Sequence, residues 1–491
     1  MTGGIVYSPG MAASSPIGVL PSNPHYFLYH GRPTILVSSG DIYYDVFSPR
    51  QDFTSYLDTL AAFDSNFTRI YPAGCTAFVP QDGDSSILPW VRLRNGKFDL
   101  DQWNPAFFAR LHAFMEHAAR RDIIVDVCLF NGFTHAWSQI NNYCWPLLPL
   151  NAANNIQGDG AADMEQFTTL QVPSNVSRQK VYIRKICQEL DRYDNILYDT
   201  SDEPDCYGNI PANLADAWVE AMLAELRSAD TRGHMIAQTH IPPLESRTGR
   251  DWCRDPRTSW TNAEYLCALK DLPAQYEIGK PYVEIETLSP GESPAWERWW
   301  SRMGLVYSGD MVSSSRIHAW AFLTGGGGGF LEWSAHFHPS SSALGEPQAT
   351  ILRQKKTLKG YLHGFAFARM YRFTGFQGVG REPATAPSAW ATSIAEPGRQ
   401  YALYLSHSSA VLPGGDWYNG HYAPAPGDHQ DTLSLEMPAG TYTVEWLDPA
   451  TGGTLRRFDI EHGGGRRDLA TPRYSIDIAL AVRSCGEGMV R

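Results

Sequence analysis

The sequence predicts an α/β protein, a (β/α)8 TIM barrel followed by a C-terminal antiparallel β-sandwich domain. Three observations lead there. Eight short apolar runs alternate with helical patterns through the first three quarters of the chain, two of these runs end in acidic residues, and the last part alternates apolar with polar residues. Because 491 residues exceed one compact core, we assign 1–24 to an N-terminal arm, 25–372 to the barrel and 373–491 to the sandwich.

The eight predicted strands are the basis of the barrel. Helices are expected between them, including one that begins with Ser48 as its N-cap and one over 104–120, both with proline at the first helical position. A further helix from 349 to about 370 closes the barrel. The strands are expected near residues 34, 67, 123, 195, 234, 258, 281 and 328.

The sandwich is predicted from a change in periodicity. The segments 400–406, 432–436, 440–448 and 475–482 alternate apolar and polar residues, and turn residues such as those at 449–453 separate them. Period-two patterns with frequent turns are typical of antiparallel sheets. This domain is expected to brace the barrel, with sugar binding as the alternative.

Composition restricts the partners. A net charge of −12 argues against nucleic acid as a partner, and the sequence has no apolar run long enough for a membrane span. The first residues lack the basic and apolar regions of a secretory leader, so we expect a cytoplasmic protein unless a leader has been removed. The oligomeric state is not predicted.

Two sequence features that could indicate a metal site or a phosphate-binding loop are weak. The eight cysteines show no C-x-x-C pair. The glycines at 325–329 lack the Lys-Ser/Thr that follows in a phosphate-binding loop. We therefore expect no metal and no organic cofactor.

The chemistry is predicted from acids at strand ends. Residues 195–204 form an apolar strand that ends in Asp202, Glu203 and Pro204, and residues 280–286 form a second strand that ends in Glu286. The carboxyl ends of barrel strands share one mouth. Retaining glycosidases need two carboxyl groups about 5–5.5 Å apart, and Glu203 with Glu286 would supply them.

These segments resemble a known group. Residues 195–204 look like the Asn-Glu-Pro motif on strand four of clan A glycoside hydrolases, the cellulase-like enzymes around family 5. Residues 279–286 are similar to the strand-seven segment of that clan. The resemblance implies a retaining glycoside hydrolase acting on a carbohydrate, with Glu203 as general acid/base and Glu286 as nucleophile. Glu284, two residues earlier on strand seven, is the competing candidate.

The resemblance also implies supporting residues. Phe67–Tyr71 resembles the strand-two segment of the clan, so Arg69 would brace the nucleophile. Trp333 matches the strand-eight tryptophan beneath the sugar. One position departs from the pattern, because Asp202 stands where the clan usually has asparagine. An ionised carboxylate accepts hydrogen bonds but cannot donate them, which places the usual β-glucoside and β-mannoside substrates in doubt. Two adjacent acids are also expected to raise each other's pKa.

Several other polar residues follow predicted strands and are expected near the substrate. Trp137, on a long loop, would stack on sugar, with local packing as the alternative. The strand-end candidates are Asp41, Asn131, His135, His240 and Asn262.

Two rival functions use the same residues. A carbohydrate-binding protein could retain the barrel without turnover, and a transglycosylase could pass the sugar to an acceptor other than water. Labelling by a mechanism-based fluoro-sugar separates the first rival from a hydrolase, and the fate of the product separates the second.

Overall fold

The structure is a computed structural model of the whole chain. The residues that it describes are 15–40, 45–49, 51–72, 87–131, 145–204, 210–239, 250–264, 267–289, 310–334, 344–412 and 421–485.

A small three-stranded antiparallel sheet opens the described chain. It consists of β1 (Gly18–Val19), β2 (Phe27–Tyr29) and β3 (Arg32–Thr34). The turn between β2 and β3 lies at His30 and Gly31, whose φ values are 48° and 73°. Two positive φ angles are typical of the tight turn that joins twisted strands. Ile17, Phe27 and Tyr29 pack against the parallel strands that follow.

Eight parallel strands then form two four-stranded sheets, and all eight predicted strands are confirmed. The order in the first sheet is β10, β9, β8, β5, and in the second β11, β12, β13, β4. Their bounds are β4 Leu36–Ser39, β5 Phe67–Ile70, β8 Ile124–Cys128, β9 Ile196–Asp199, β10 Met235–Ala237, β11 Thr261–Glu264, β12 Tyr282–Ser289 and β13 Gly329–Ser334. A missed hairpin, β6 (Trp90–Arg92) with β7 (Phe98–Trp103), lies between β5 and β8.

The strand ladders among the described residues stop at two seams, between β4 and β5 and between β10 and β11. Hydrogen bonds cross both seams. Asn66, just before β5, accepts from the Val37 amide at 2.9 Å and donates to the Ile35 carbonyl at 3.0 Å. At the other seam Ser259 Oγ accepts from the Ile236 amide at 2.9 Å. The two sheets are therefore joined at both edges by side chains.

One apolar cluster lies at the centre of the eight strands, and each strand, or for β11 the residue just before it, contributes to it. Along each strand, the residues next to these point to the opposite face and pack under helices. The members are Leu36, Phe67, Ile124, Leu197, Met235, Ala237, Trp260, Val283, Ile285 and Leu331. All are at most 3% exposed, as expected for strands buried on both faces.

Seven α-helices are described, and they pack around these strands. Their bounds are α1 Phe53–Ala62, α2 Pro105–Ala119, α3 Pro173–Leu190, α4 Ala212–Ala229, α5 Cys267–Tyr276, α6 Met311–Thr324 and α7 Gln348–His363. The predicted cap of α1 was wrong. Asp52, not Ser48, accepts from the amides of Thr54 and Ser55, so the helix begins four residues later.

The C-terminal strands form a seven-stranded and a three-stranded antiparallel sheet. A single apolar core includes residues of both, among them Leu403, Leu435 and Leu480. The seven-stranded sheet has the order β14, β16, β17, β23, β20, β21, with β18 on β17; the other has the order β15, β19, β22. The bounds are β14 Tyr371–Arg372, β15 Phe376–Gln377, β16 Ser388–Glu396, β17 Gln400–Val411, β18 His421–Pro424, β19 Thr432–Met437, β20 Gly440–Leu447, β21 Thr454–His462, β22 Gly465–Ala470 and β23 Asp477–Ser484.

Helix α6 joins the two halves of the chain. All its residues from Ser313 to Thr324 are buried. The guanidinium of Arg316 pairs with Asp477 of β23, with Nε 2.7 Å and Nη2 3.1 Å from the carboxylate oxygens. Tyr404 donates to the same carboxylate at 2.7 Å. The helix therefore packs both against the parallel strands and against the C-terminal seven-stranded sheet.

The glycine run 325–329 is explained by packing. A Cβ on Gly327 would lie 2.3 Å from the Phe322 ring, and a Cβ on Gly328 would lie 2.6 Å from the His25 carbonyl oxygen. Side chains do not fit there, so the run needs no ligand to account for it.

We expect Asn66→Ala to lower the free energy of unfolding by about 2 kcal/mol, because it leaves the Val37 amide and the Ile35 carbonyl without their partner. Urea denaturation measures the loss. Asn95→Ala, in an exposed turn, is the control and should change stability by about 0.5 kcal/mol or less. Equal losses in both variants would contradict a special role for Asn66 at the seam.

Candidate active site

A polar layer lies directly above the apolar cluster inside the eight strands. Arg69 and Asp126 each follow a cluster residue by two positions, and so does Asp199. Side chains two residues apart on a strand share a face, so these three point to the same interior. All three are fully buried.

Arg69 is the only cation in this layer among the described residues. Its Nε lies 3.0 Å from Asp126 Oδ2, and its Nη2 lies 2.9 Å from Asp199 Oδ2 and 3.5 Å from Asp202 Oδ1. Nη2 also donates to Thr239 Oγ1 at 3.1 Å. The guanidinium therefore contacts three carboxylates from two neighbouring strands and the segment after them.

Asp199 accepts the most hydrogen bonds of the three acids. The Thr239 amide donates to it at 3.1 Å, and the Thr239 hydroxyl also donates to it. Asn262 Nδ2 donates at 2.9 Å, so this strand-end residue, which was expected near the substrate, contacts the buried network. Burial raises the pKa of the Asp199 carboxyl, while Arg69 and these donors oppose the rise.

Asp202 is held by a different set of donors. The Tyr71 hydroxyl donates to its Oδ2 at 3.0 Å, and Asn131 Nδ2 donates to the same oxygen at 2.9 Å. Its other oxygen faces Arg69. The side chains described within hydrogen-bond or ion-pair distance of this carboxyl, those of Tyr71, Asn131 and Arg69, are all donors, which is an environment that suits an acceptor at the position where an asparagine was expected.

Glu203 follows in an unusual backbone conformation. Its φ is +41°, in the left-handed region, and the next residue is Pro204. A residue before proline normally adopts an extended conformation. Such local strain is found at functional sites. The residue as a whole is 3% exposed.

Glu286 lies at a β-bulge in β12. Glu284 pairs with Phe330 of β13 and Thr287 pairs with Glu332, so Ile285 and Glu286 together stand opposite Leu331. Leu331 belongs to the interior cluster. A bulge of this kind changes the direction of side chains, and bulges are frequent next to active sites. Glu286 is half-buried.

Glu284 lies elsewhere. It is fully buried, and its Oε2 is 3.4 Å from His318 Nε2 of α6. Burial lowers the pKa of His318 to about 3, so this imidazole is neutral. Its strand neighbours Ala263 and Phe330 pack in the cluster beneath the helices. The structure therefore brings Glu284 to α6 and not to Arg69.

The remaining predicted site residues divide into two groups. Trp333 occupies β13, but its side chain is not among those described. Four others lie outside the described residues: Asp41, His135, Trp137 and His240.

The sequence analysis missed four residues that the structure brings to the site. Asp126 lies inside an apolar run and Asp199 at the end of one. Each follows a cluster residue, Ile124 or Leu197, by two positions, and this spacing was the available signal. Tyr71 and Thr239 each follow a strand by one or two residues.

Among the described residues, no three His, Cys, Asp or Glu side chains are arranged to hold a metal ion, and no described helix could span a membrane.

Replacement of Arg69 by methionine is expected to lower the free energy of unfolding by about 3–5 kcal/mol near neutral pH, because it leaves buried carboxylates without a cation. These carboxyls would then bind protons more tightly in the folded than in the unfolded chain. Stability should therefore fall further as pH rises above about 4, the pKa of unfolded aspartate. Denaturation curves at several pH values measure this.

The matched control is Arg184→Met, which removes a half-exposed arginine paired with Glu225 on the surface. Its cost should be about 1 kcal/mol or less and independent of pH in the same range. A pH-independent loss in the Arg69 variant would be inconsistent with unbalanced buried carboxylates.

A second prediction concerns Asp202→Asn. The amide nitrogen would face either the donors Tyr71 and Asn131 or the guanidinium of Arg69, so we expect a loss of about 1–3 kcal/mol in stability. Urea denaturation tests this, with Asp468→Asn on the exposed strand β22 as control. Unchanged stability would show that this pocket accepts an amide as readily as a carboxylate.

Comparison with known proteins shows a shared fold. No family model matches the sequence, and no curated protein matches it. A glycoside hydrolase family 5 structure from Bacteroides vulgatus aligns with a TM-score of 0.63 at 11% identity, over 98% of this chain and 97% of that one. A putative glycoside hydrolase from the same organism gives 0.62 at 13%, over 96% and 82%. A further structure described as a glycoside hydrolase gives 0.61 at 10%, over 96% and 98%. The chain thus has the fold of family 5 glycoside hydrolases, the clan A group that the two acidic segments resemble.

Proposed function

We propose that this protein is a retaining glycoside hydrolase in which Glu203 is the general acid/base and Glu286 is the nucleophile. One observation carries the proposal. Glu203 continues directly from a buried Arg69–Asp199–Asp202 network at the end of β9, and Glu286 stands at a bulge in β12, a strand parallel to the others. Carboxyl ends of parallel barrel strands form the active-site face.

The architecture that we propose is a closed (β/α)8 barrel over 25–372, preceded by an arm over 1–24 and followed by a β-sandwich over 373–491. The side-chain bridges at Asn66 and Ser259 and the cluster shared by the eight strands support closure. The core common to the two C-terminal sheets supports the sandwich. In a closed barrel the fourth and seventh strands are β9 and β12.

The first chemical step needs a protonated Glu203. Its burial and its neighbour Asp202 both disfavour a second negative charge there. Glu203 gives its proton to the leaving oxygen while a carboxylate oxygen of Glu286 attacks the anomeric carbon. The bond to the leaving group breaks as the glycosyl–Glu286 ester forms.

The second step reverses these roles. Glu203, now ionised, takes a proton from water, and the water oxygen attacks the anomeric carbon. The ester bond breaks, Glu286 leaves as a carboxylate, and the sugar is released with its original anomeric configuration. Both steps use only the two carboxyl groups and water.

The proposed substrate is a carbohydrate with a β-linked or stereochemically equivalent glycosidic bond. The nearby Asp202 is an acceptor with donors already on one oxygen. It therefore suits a substrate group that donates a hydrogen bond. A screen of aryl pyranosides and furanosides is the direct way to find the sugar.

The central test combines trapping and substitution. A 2-fluoro glycoside with a good leaving group should label Glu286, detected by mass spectrometry of peptides. Glu286→Gln should lower kcat on the order of 10³-fold or more. Glu203→Ala should impair alkyl glycosides more than aryl glycosides with acidic phenols, because an acidic phenol leaves without a proton.

The control is Glu284→Gln, on the same strand and packed against α6. It should keep far more activity than Glu286→Gln. Undiminished turnover in Glu286→Gln, or label on Glu284, contradicts the assignment. Sugar binding without labelling or turnover would indicate a non-catalytic binding protein. Transfer of the label to an added acceptor in preference to water would indicate a transglycosylase.

A further inference from the structure

The Arg69 cluster contains more acids than its cation can balance. Asp126, Asp199 and Asp202 surround one guanidinium, and the most exposed of them is 2% exposed. Ionised carboxylates are costly to bury unless they are paired and hydrogen-bonded. Three of them around a single positive charge would leave two buried charges unbalanced within this group.

The hydrogen-bond donors are shared unequally among the three acids. Asp199 receives donors from Thr239 and Asn262, and Asp202 receives donors from Tyr71 and Asn131. Asp126 is different. Among the described residues, neither of its buried oxygens accepts a well-directed hydrogen bond, and its ion-pair partner is Arg69, whose Nε lies 3.0 Å from Oδ2.

We propose that Asp126 is a positioning residue that holds a proton at neutral pH, so that the charge of Arg69 is reserved for Asp199 and Asp202. The inference rests on the proposed function, because Asp202 precedes the proposed acid/base Glu203. Asp126 does not touch substrate in this proposal. It acts through Arg69.

The surroundings of Asp126 support a neutral carboxyl. Burial raises the pKa of Asp126 well above its ordinary value; Arg69 opposes the rise, and the negative charges of Asp199 and Asp202 add to it. A further titratable neighbour is Cys128 on the same strand, whose thiol donates to the Phe130 carbonyl at 3.2 Å. Burial raises the pKa of that thiol as well, so it contributes no charge.

Loss of the proton from Asp126 would affect the proposed site through Asp202, whose contact with Arg69 is the longest of the three. The distance to Asp202 is 3.5 Å, whereas those to Asp126 and Asp199 are 3.0 and 2.9 Å. An ionised Asp126 would draw the guanidinium toward itself. Asp202 would then lose its share of positive charge, and Glu203 beside it would become harder to ionise for the second step.

The experiment compares Asp126→Asn with Asp199→Asn. Infrared difference spectra report the carbonyl stretch of a protonated carboxyl, which an ionised carboxylate lacks. We expect one such band to be present in wild type and in Asp199→Asn and absent from Asp126→Asn, while the band of the protonated Glu203 is retained in all three proteins. The measurement uses the whole protein and requires no substrate.

Thermal unfolding gives a second readout. A carboxyl with a raised pKa in the folded state stabilises the protein below its unfolded pKa, and this contribution is lost as pH rises toward the folded pKa. Asparagine has no proton to lose. The melting temperature of Asp126→Asn should therefore rise relative to wild type by a few degrees between acidic and alkaline pH, whereas Asp199→Asn should be less stable at every pH.

Activity completes the test. Since an ionised Asp126 makes Glu203 harder to ionise, kcat of wild type should decline at alkaline pH as Asp126 loses its proton, and this decline should be absent from Asp126→Asn. Retention of every protonated-carboxyl band in Asp126→Asn, or a loss of stability parallel to that of Asp199→Asn, overturns the proposal. A wild-type protein that shows the band but no glycosidase turnover overturns the proposed function and still supports the proton on Asp126.

Discussion

The arrangement of this protein depends on one buried cation. Arg69 reaches from β5 across the interior of the strands and contacts Asp126 and Asp199 on the next two strands and Asp202 beyond them. A guanidinium in such a place is stable only because carboxylates surround it, and the carboxylates are tolerated only because it is there. The same contacts hold the segment that carries Glu203. One set of interactions therefore determines both the stability of the interior and the geometry of the proposed site.

Much of the strand architecture was accessible from the sequence, because buried parallel strands are short apolar runs bounded by helices. The polar layer inside them was not. Asp126 is preceded and followed by apolar residues, and only knowledge of which face points inward separates a buried acid from a surface one. The expectation that Arg69 braces the nucleophile stays a prediction, while its contacts with three aspartates were not foreseen from the sequence.

Local features of the backbone account for other differences between the structure and what the sequence predicts. The bulge at Ile285 and Glu286 depends on pairing with β13 and leaves no mark in the sequence, so a strict alternation would have placed Glu284 and Glu286 on one face. Helix α5 was missed because it contains Pro273, which normally ends a helix. At α1, Ser48 and Asp52 are both good capping residues, and the structure uses the second.

The complete burial of α6 has a consequence for how the chain can be divided. Its outer surface is covered by the C-terminal strands, and Arg316 forms its ion pair with Asp477 across that boundary. A fragment that stopped at the end of the eight-stranded region would expose apolar side chains of α6 and would lack the Asp477 partner of Arg316. The C-terminal sheets thus complete the core around α6, and we expect the two parts of the chain to unfold together as one cooperative unit.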